Sequence, residues 1–549
     1  MTTKLHARLA WSYLDADTSV TLEDYTVGAL LAARARTHGT VTALVGPAHG
    51  DGAEVRLTYR ELFDEACRVA TALVRLTTPG DYVALWAPNV VEWPIIQYGA
   101  ALAGVVLVAL NPALRPPELA YALGHSRAKV LIHADRSRDY DTAAVVSEID
   151  TRLLGARTIS LSSRSEWRSD DIDAAAIARA PADPELPVML QYTSGTTGRP
   201  KGVLLRHRSL INVAKLTLET AGISAGAVTV NPLPMFHTAA CVVGTLGPLW
   251  IGGTEVLVDR FEPSALLDTM RRERVRVLFF VPAMLTALVA AQRASGERAP
   301  QLSSCLGGAS TVSAGLIKAA EDTFGTTVIN VFGQTELSPV LTATRPDDSR
   351  ADQLRTVGRP LPQVDCKVVD PATGRVVPVG EPGEICARGY QQMVGYLHDP
   401  AATATAVDGD GFLHTGDLGV MDERGYLTLT GRLKELIIRG GENIAPAEIE
   451  ACVADHEMVA EACAFGLPDD RLGEIVAVMV VARGSLPADA ADQLVTHVGQ
   501  YLTPHKVPQR WFVADELPKT PTGKVRKFAL PDLIAQGSVR ELFRKEPDQ

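Results

Sequence analysis

Apolar positions recur along this chain with two alternating periods. Thr58-Tyr59-Arg60-Glu61 has the form of a capping box and opens a 3.6-residue pattern, which predicts a helix through about Leu73. Asp81-Tyr82-Val83-Ala84-Leu85 reads as a strand, residues 91–103 as a helix and Val105–Leu110 as another strand. A helix near Pro117–Leu123 leads into Val130-Leu131-Ile132. The rhythm resumes at 188–192, 209–221, 255–258, 264–273, 276–281 and 327–332. Strand alternating with helix predicts an α/β fold of mainly parallel sheets covered by helices on both faces.

From about Gly358 the pattern changes. Short strand-like pieces are joined by the turns P-A-T-G-R, V-G-E-P-G-E and D-E-R-G-Y, which predicts a β-rich subdomain over about 358–432. After Gly431 a short α+β pattern begins. It has helices near Ala447–Ala454 and Ala488–Leu502, strands near Glu461–Gly466 and Ile475–Ala482, and a loop P-T-G-K. The expected organisation is a large N-terminal domain over 1–432 and a small C-terminal domain over 433–549, with the boundary at about 432–434.

Composition narrows the partners. At 549 residues the chain has room for several subdomains, and 46% apolar with 21% charged residues is ordinary for a globular protein. A net charge of −11 and the lack of a basic cluster argue against nucleic acid or an anionic membrane surface. Cys67, Cys241, Cys305, Cys366, Cys386, Cys452 and Cys463 are odd in number and none has C-x-x-C spacing. That pattern argues against a disulfide framework or a zinc site, and it fits a reducing compartment. The first twenty residues lack the uninterrupted apolar core of a signal peptide. The runs near Ile95–Leu110 and Val277–Ala291 fall short of the ~20 residues of a spanning helix and are broken by Gly, Gln or Pro. A cytoplasmic protein is expected.

The run Y-T-S-G-T-T-G-R-P-K-G, Tyr192 to Gly202, has seven Gly, Ser or Thr residues in eleven. Val188–Gln191 reads as a strand leading into it. Gly195 and Gly198 let backbone N–H groups approach an anion. Thr193, Ser194, Thr196 and Thr197 add hydroxyl donors, and Lys201 adds charge, which together make a phosphate cradle. It is not a Walker loop, because Pro200 precedes the lysine and Gly202 follows it. By composition alone a flexible surface turn is an equal reading.

The ordered string T-S-G-T-T-G-x-P-K-G resembles the AMP-forming signature of the adenylate-forming superfamily, which includes acyl-CoA synthetases, coumarate ligases, luciferases and peptide-synthetase adenylation domains. Further motifs follow in that family's order, from about residue 25 to about 530. Pro234-Met235-Phe236-His237 resembles its aromatic station, which implies His237 at the mouth between the acid pocket and the nucleotide. Gly307-Gly308-Ala309 offers flat backbone for an adenine plane or an acyl group. Asn330-Val331-Phe332-Gly333-Gln334-Thr335-Glu336 matches the Y-G-x-T-E station with Phe for Tyr. Phe332 can stack on adenine, Thr335 can donate to the α-phosphate, and Glu336 is a hard oxygen ligand for Mg²⁺. In His414-Thr415-Gly416-Asp417 the acid would accept from the ribose hydroxyls, and Arg432 is expected at the same ribose. Lys434 matches the hinge of a mobile C-terminal domain. Lys524, in Pro521-Thr522-Gly523-Lys524, matches the late catalytic lysine. Taken singly, each of these is as readily a core histidine, a turn or a surface charge; their register carries the resemblance.

The resemblance implies a two-step reaction. A carboxylate attacks the α-phosphorus of ATP, pyrophosphate departs, and an acyl-adenylate forms. Charge builds on phosphoryl oxygens, so fixed cations and donors matter most: the hydroxyls of 193–197 and 335, Mg²⁺ on Glu336, Lys201 and Lys524. A thiol then takes the acyl group after the small domain rotates about Lys434, with Gly440 and Gly441 bordering its tunnel. The expected cofactors are ATP, Mg²⁺ and coenzyme A.

Amino-acid-activating relatives place an Asp right after the aromatic station. Thr238 stands there, so an α-amino acid is not expected. The lining of Thr238, Ala240, Val243, Gly308, Gly333, Pro339 and Val340, with His237 at its mouth, is mostly small and apolar and suits a medium-chain, branched, aryl or bulky alicyclic acid. Plant coumarate ligases carry Lys and Gln where Ile438 and Asn443 stand, and I-I-R-G-G-E-N-I-A-P looks closer to bacterial fatty-acyl ligases. Coenzyme A is the expected acceptor, with natural-product biosynthesis as one setting. A carrier protein or partner enzyme as acceptor, and an inactive nucleotide sensor, remain alternative readings.

Overall fold

A computed structural model of the chain describes all residues except 1–7, 150–154, 179, 194–199, 309–311, 440–441, 470, 520–524 and 545–549. The chain divides into two compact units. The larger comprises Asp15–Cys366 and Ala387–Leu413; the smaller comprises Met1–Leu14, Lys367–Cys386 and His414–Gln549.

The larger unit holds two broad sheets. One has nine strands in the order Arg359–Pro360, Thr342–Ala343, Thr327–Phe332, Ser304–Gly308, Val277–Phe280, Val228–Asn231, Thr254–Leu257, Thr42–Pro47, Glu54–Thr58. Its six central strands are parallel, and antiparallel strands close both edges. The strand residues Val277–Phe280 are buried throughout, as a sheet covered on both faces requires. Helix Pro263–Arg272 lays Leu266, Leu267 and Met270 into this core. Pro282–Ser295 adds Leu285 and Leu288, and Ala314–Phe324 adds Ile317 and Ala320. Each fully buried leucine contributes about 1.5–3 kcal/mol relative to exposure.

The second sheet runs Gly395–Tyr396, Lys201–Arg206, Pro187–Thr193, Val106–Leu110, Tyr82–Trp86, Val130–His133, Arg157–Ser160. Its last five strands are parallel. The expected helices are present: Tyr59–Leu73 leads into the first of these strands in chain order, and Glu92–Ala103 and Pro116–Ser126 lie between successive strands. The capping box is present, with the Thr58 hydroxyl accepting from the Glu61 N–H at 3.3 Å and the Glu61 carboxylate accepting from the Thr58 N–H at 2.8 Å. The strands Arg157–Ser160 and Lys201–Arg206 were not anticipated. Lys201–Arg206 turns back on Pro187–Thr193 as an antiparallel hairpin arm.

In the smaller unit, Leu413–Met421 pairs antiparallel with Leu427–Arg432. Beyond it, Val459–Asp469 pairs with Gly473–Ala482, which lies in the order Glu442–Ile444, Ile437–Arg439, Gly473–Ala482, Arg510–Val513, Arg540–Arg544. Helices Pro446–Ala454 and Ala490–Tyr501 pack Ile449, Val453, Leu494 and Val498 onto Val476, Val478, Val480 and Trp511. This is the α+β pattern expected after residue 431. Among the described residues, no helix is long and apolar enough to cross a membrane.

Candidate active site

The hairpin fixes both ends of the small-residue loop. Thr193 pairs directly with Lys201, and Tyr192 with Gly202. Helix Pro116–Ser126 anchors the flanks, because the Tyr192 hydroxyl donates to the Ala122 carbonyl at 3.0 Å and the Tyr121 hydroxyl to the Pro200 carbonyl at 2.9 Å. Thr193 and Lys201 are therefore held on adjacent strand ends.

Lys201 does not stand alone. Its Nζ lies 4.5 Å from the centre of the Tyr396 ring, within cation–π range. The Tyr396 hydroxyl donates to Glu336 Oε1 at 2.9 Å. Burial, with the Glu336 carboxylate adding to it, raises the phenol well above its ordinary pKa, so it remains a donor. Thr335 opens the single helical turn Thr335–Leu337 that carries Glu336. The Glu336 carbonyl accepts from the Met393 N–H at 2.8 Å, which ties that turn to the segment bearing Tyr396. Lys201, Tyr396 and Glu336 thus form one half-exposed polar cluster. Sequence reading missed Tyr396; no local signal marks a tyrosine 60 residues beyond its acceptor.

The Glu336 carboxylate fits a Mg²⁺ ligand on chemical grounds. It is a hard oxygen donor, accessible, and oriented by a hydroxyl that plays the supporting role common behind metal-bound carboxylates.

Gly333 and Gly308 have a packing reason for lacking side chains. A Cβ on Gly333 would lie 2.0 Å from the Pro339 carbonyl oxygen, and one on Gly308 2.0 Å from the Val331 carbonyl oxygen. Backbone approaches backbone at both strand ends, which brings Gly333 against Pro339. Phe332 lies beside them at the end of its strand, half-buried.

The acid-pocket residues build a different wall. His237, half-buried against Phe236 at 4.3 Å between ring centres, starts a helical turn by accepting from the Ala240 and Cys241 N–H groups at 3.0 Å. A π-helix then runs Ala239–Gly244. Such turns are rare and occur mostly at functional sites. Thr238 at its N-terminal cap and Ala240 and Val243 on it are buried, as is Val340 elsewhere.

Behind this wall lies a polar network that the sequence did not disclose. Glu255, fully buried, accepts at Oε1 from Asn231 Nδ2 at 2.9 Å and from the Thr245 hydroxyl at 3.0 Å. The Gln97 side chain donates to the Cys241 carbonyl at 2.9 Å. Burial pushes the Glu255 carboxyl up to about 7, against the pull of its two donors.

The ribose motif sits in the smaller unit. Asp417 is 4% exposed, faces Arg432 across the strand pair, and accepts from its Nε at 2.5 Å. The strand segment before it, kinked at Gly416, is tied down. Glu384 accepts from His414 Nδ1 at 2.7 Å and from the Gly416 N–H at 2.9 Å. The Thr415 hydroxyl donates to the Ile385 carbonyl at 2.7 Å. Lys434 is exposed in the short turn Leu433–Glu435. Ser194, Gly195, Thr196, Thr197, Gly198, Ala309, Gly440, Gly441 and Lys524 lie outside the described residues.

Comparison with known proteins agrees with this geometry. Residues 31–397 match the AMP-binding enzyme family, and residues 448–524 match the AMP-binding enzyme C-terminal domain. The acyl-CoA ligase sidI of Aspergillus fumigatus is 32% identical, over 97% of this chain and 95% of that protein. A Rhodococcus jostii enzyme named 3-[(3aS,4S,7aS)-7a-methyl-1,5-dioxo-octahydro-1H-inden-4-yl]propanoyl:CoA ligase is 33% identical, over 93% and 99% respectively. The crystal structure of ATP-bound MatB from Rhodopseudomonas palustris aligns with a TM-score of 0.79 at 28% identity, covering 92% of this chain and 99% of MatB. The chain belongs to the AMP-binding enzyme family, among its ATP-dependent acyl-CoA ligases, which join an acid to a thiol.

Proposed function

We propose that this enzyme activates a medium-chain, branched, aryl or alicyclic carboxylic acid as its acyl-adenylate, releasing pyrophosphate, and then passes the acyl group to the thiol of coenzyme A. The observation that carries the adenylation step is the convergence of Lys201 and Glu336 on Tyr396 at the mouth of the loop. A cation, a carboxylate and a fixed hydroxyl donor are what a migrating polyphosphate charge needs. Thr335 and the hydroxyls of 193–197 donate to phosphate oxygens, Phe332 stacks on adenine between Gly308-Ala309 and Gly333, and Asp417 with Arg432 holds the ribose. Glu336 is the residue to hold Mg²⁺, which when bound neutralises phosphate charge. The neutral wall of Thr238, Ala240 and Val243 supports an acid without an amino group. The Rhodococcus relative, named for an acyl group on a fused-ring skeleton, supports the alicyclic class. The boundary between large and small domains falls at 432–434, with Lys434 as hinge, Gly440 and Gly441 at the thiol's path, and the protein in the cytoplasm.

The test separates the two steps. Acid-dependent exchange of labelled pyrophosphate into ATP reports adenylation, and thioester formation from a supplied acyl-adenylate reports transfer. Lys524→Ala is expected to lower exchange by about 10²–10³-fold, the cost of one preorganised charge-stabilising group, and to leave transfer within a few-fold of wild type. Equal loss in both assays would contradict the assignment of Lys524 to the first step. No exchange by wild type across a broad panel of acids would contradict adenylation itself.

A further inference from the structure

Glu384 stands 30 residues before His414 in sequence and directly against the strand segment that delivers Asp417. The residue is 7% exposed, and both carboxylate oxygens are used. Oε2 accepts from His414 Nδ1 at 2.7 Å and Oε1 from the Gly416 N–H at 2.9 Å, so one carboxylate grips the residues on either side of Thr415. The adjoining residue completes the clasp: the Ile385 carbonyl takes the Thr415 hydroxyl, and that hydroxyl accepts from the Asp417 N–H at 3.1 Å. Gly416 is in the left-handed region at φ 71°, a conformation available to glycine at little cost but not self-enforcing. Without a partner its N–H would lose an obligatory hydrogen bond beside a buried strand. The Cys386 sulfur lies 3.5 Å from the same nitrogen, His414 Nδ1, on the Glu384 side of the imidazole.

An ionised carboxylate only accepts, so the His414 nitrogen facing it carries the proton. An aliphatic side chain at 384 offers neither bond. An amide there keeps one acceptor oxygen for the Gly416 N–H and turns an NH₂ toward His414, which can receive it as the other tautomer. The two replacements are therefore graded.

We propose that Glu384 is a positioning residue for nucleotide recognition: by bridging His414 and Gly416 it fixes the left-handed kink in the strand that aims the Asp417 carboxylate at the ribose hydroxyls. The proposal rests on the reading of Asp417 as the ribose acceptor. Glu384 touches no substrate and acts through the direction of another side chain. Its loss should therefore appear as lost discrimination for the ribose diol rather than as uniformly weak nucleotide binding.

The test is calorimetric binding of AMP and of 2′,3′-dideoxy-AMP to the full-length enzyme and to Glu384→Gln and Glu384→Leu. Wild type is expected to prefer AMP by about 10-fold or more, the worth of a hydrogen bond to a charged acceptor. In Glu384→Leu the preference should fall to within about 3-fold of unity, with Glu384→Gln between the two. If Glu384→Leu does not fold, the intermediate ratio of Glu384→Gln carries the test. Equal weakening of both ligands, leaving the ratio at its wild-type value, overturns the positioning role and makes Glu384 merely structural. A wild type that binds both ligands equally overturns the ribose reading, and this proposal with it.

Discussion

Lys201, Tyr396 and Glu336 stand half-exposed on strand ends and touch one another through their functional atoms. Thr238, Ala240 and Val243, in the same unit, are buried at the N-terminal cap and along the length of a π-helix whose polar support lies behind it, at Glu255, Asn231 and Thr245. The first region keeps its charges near solvent, where desolvation is cheap until a ligand covers them. The second buries its one carboxyl and presents a neutral face. In the proposed reading, charge chemistry falls to residues that strand ends bring together, and acid selection to a wall backed by a buried hydrogen-bond network.

The sharpest way to break this contrast is at Glu336. Replacing it with alanine is expected to reduce pyrophosphate exchange by about 10²–10³-fold while leaving thermal stability near wild type, because the side chain is only half-buried. A large drop in melting temperature with modest kinetic loss would place Glu336 with the structural carboxylates instead.

Glu255 should behave in the opposite manner. Its folded pKa of about 7 lies above its ordinary value of 4.5, so between those pH values the folded state keeps a proton that the unfolded state has lost. Stability from this group is complete below about pH 4.5 and is lost as pH rises through about 7, by roughly 3 kcal/mol at most. Glu255→Gln removes that slope. Melting curves from pH 4.5 to 8 should show the variant gaining on wild type as pH rises. Curves that stay parallel would mean the carboxyl is ionised in the fold.

The smallest effect is expected at Tyr396. Phenylalanine keeps the ring under Lys201 and deletes one hydrogen bond to a carboxylate, worth about 1.5–3 kcal/mol in the site. Exchange should fall by about 10-fold to 100-fold, less than for Glu336→Ala. An effect equal to that of Glu336→Ala would give the hydroxyl a direct role on substrate.

What the sequence disclosed and what it hid follow the same division. The helix Tyr59–Leu73 was legible because its capping box is local, and Val277–Phe280 because a strand buried on both faces has no polar positions to confuse its period. The antiparallel return Lys201–Arg206 was not, since its outer neighbour, Gly395–Tyr396, lies nearly two hundred residues away. Separations of 60 and 30 residues likewise hid Tyr396 from Glu336 and Glu384 from His414. The π-helix was hidden for another reason: an apolar run such as A-A-C-V-V-G has no hydrophobic period that separates it from an ordinary helix. The family's spacing pointed to candidate residues but not to what orients them, because orientation is set by partners on other strands.

The pairing of Val203 with Tyr396 and Leu204 with Gly395 also sets the heading of the cation. Successive side chains on a strand point to opposite faces, so a slip of one residue there would swing Lys201 to the far face of the sheet and leave the phenol ring uncovered. An extra residue within 194–200, outside the paired strands, costs no such reversal. The register constraint therefore falls on the arm that follows residue 200, a rule for anyone grafting a different nucleotide loop onto this frame.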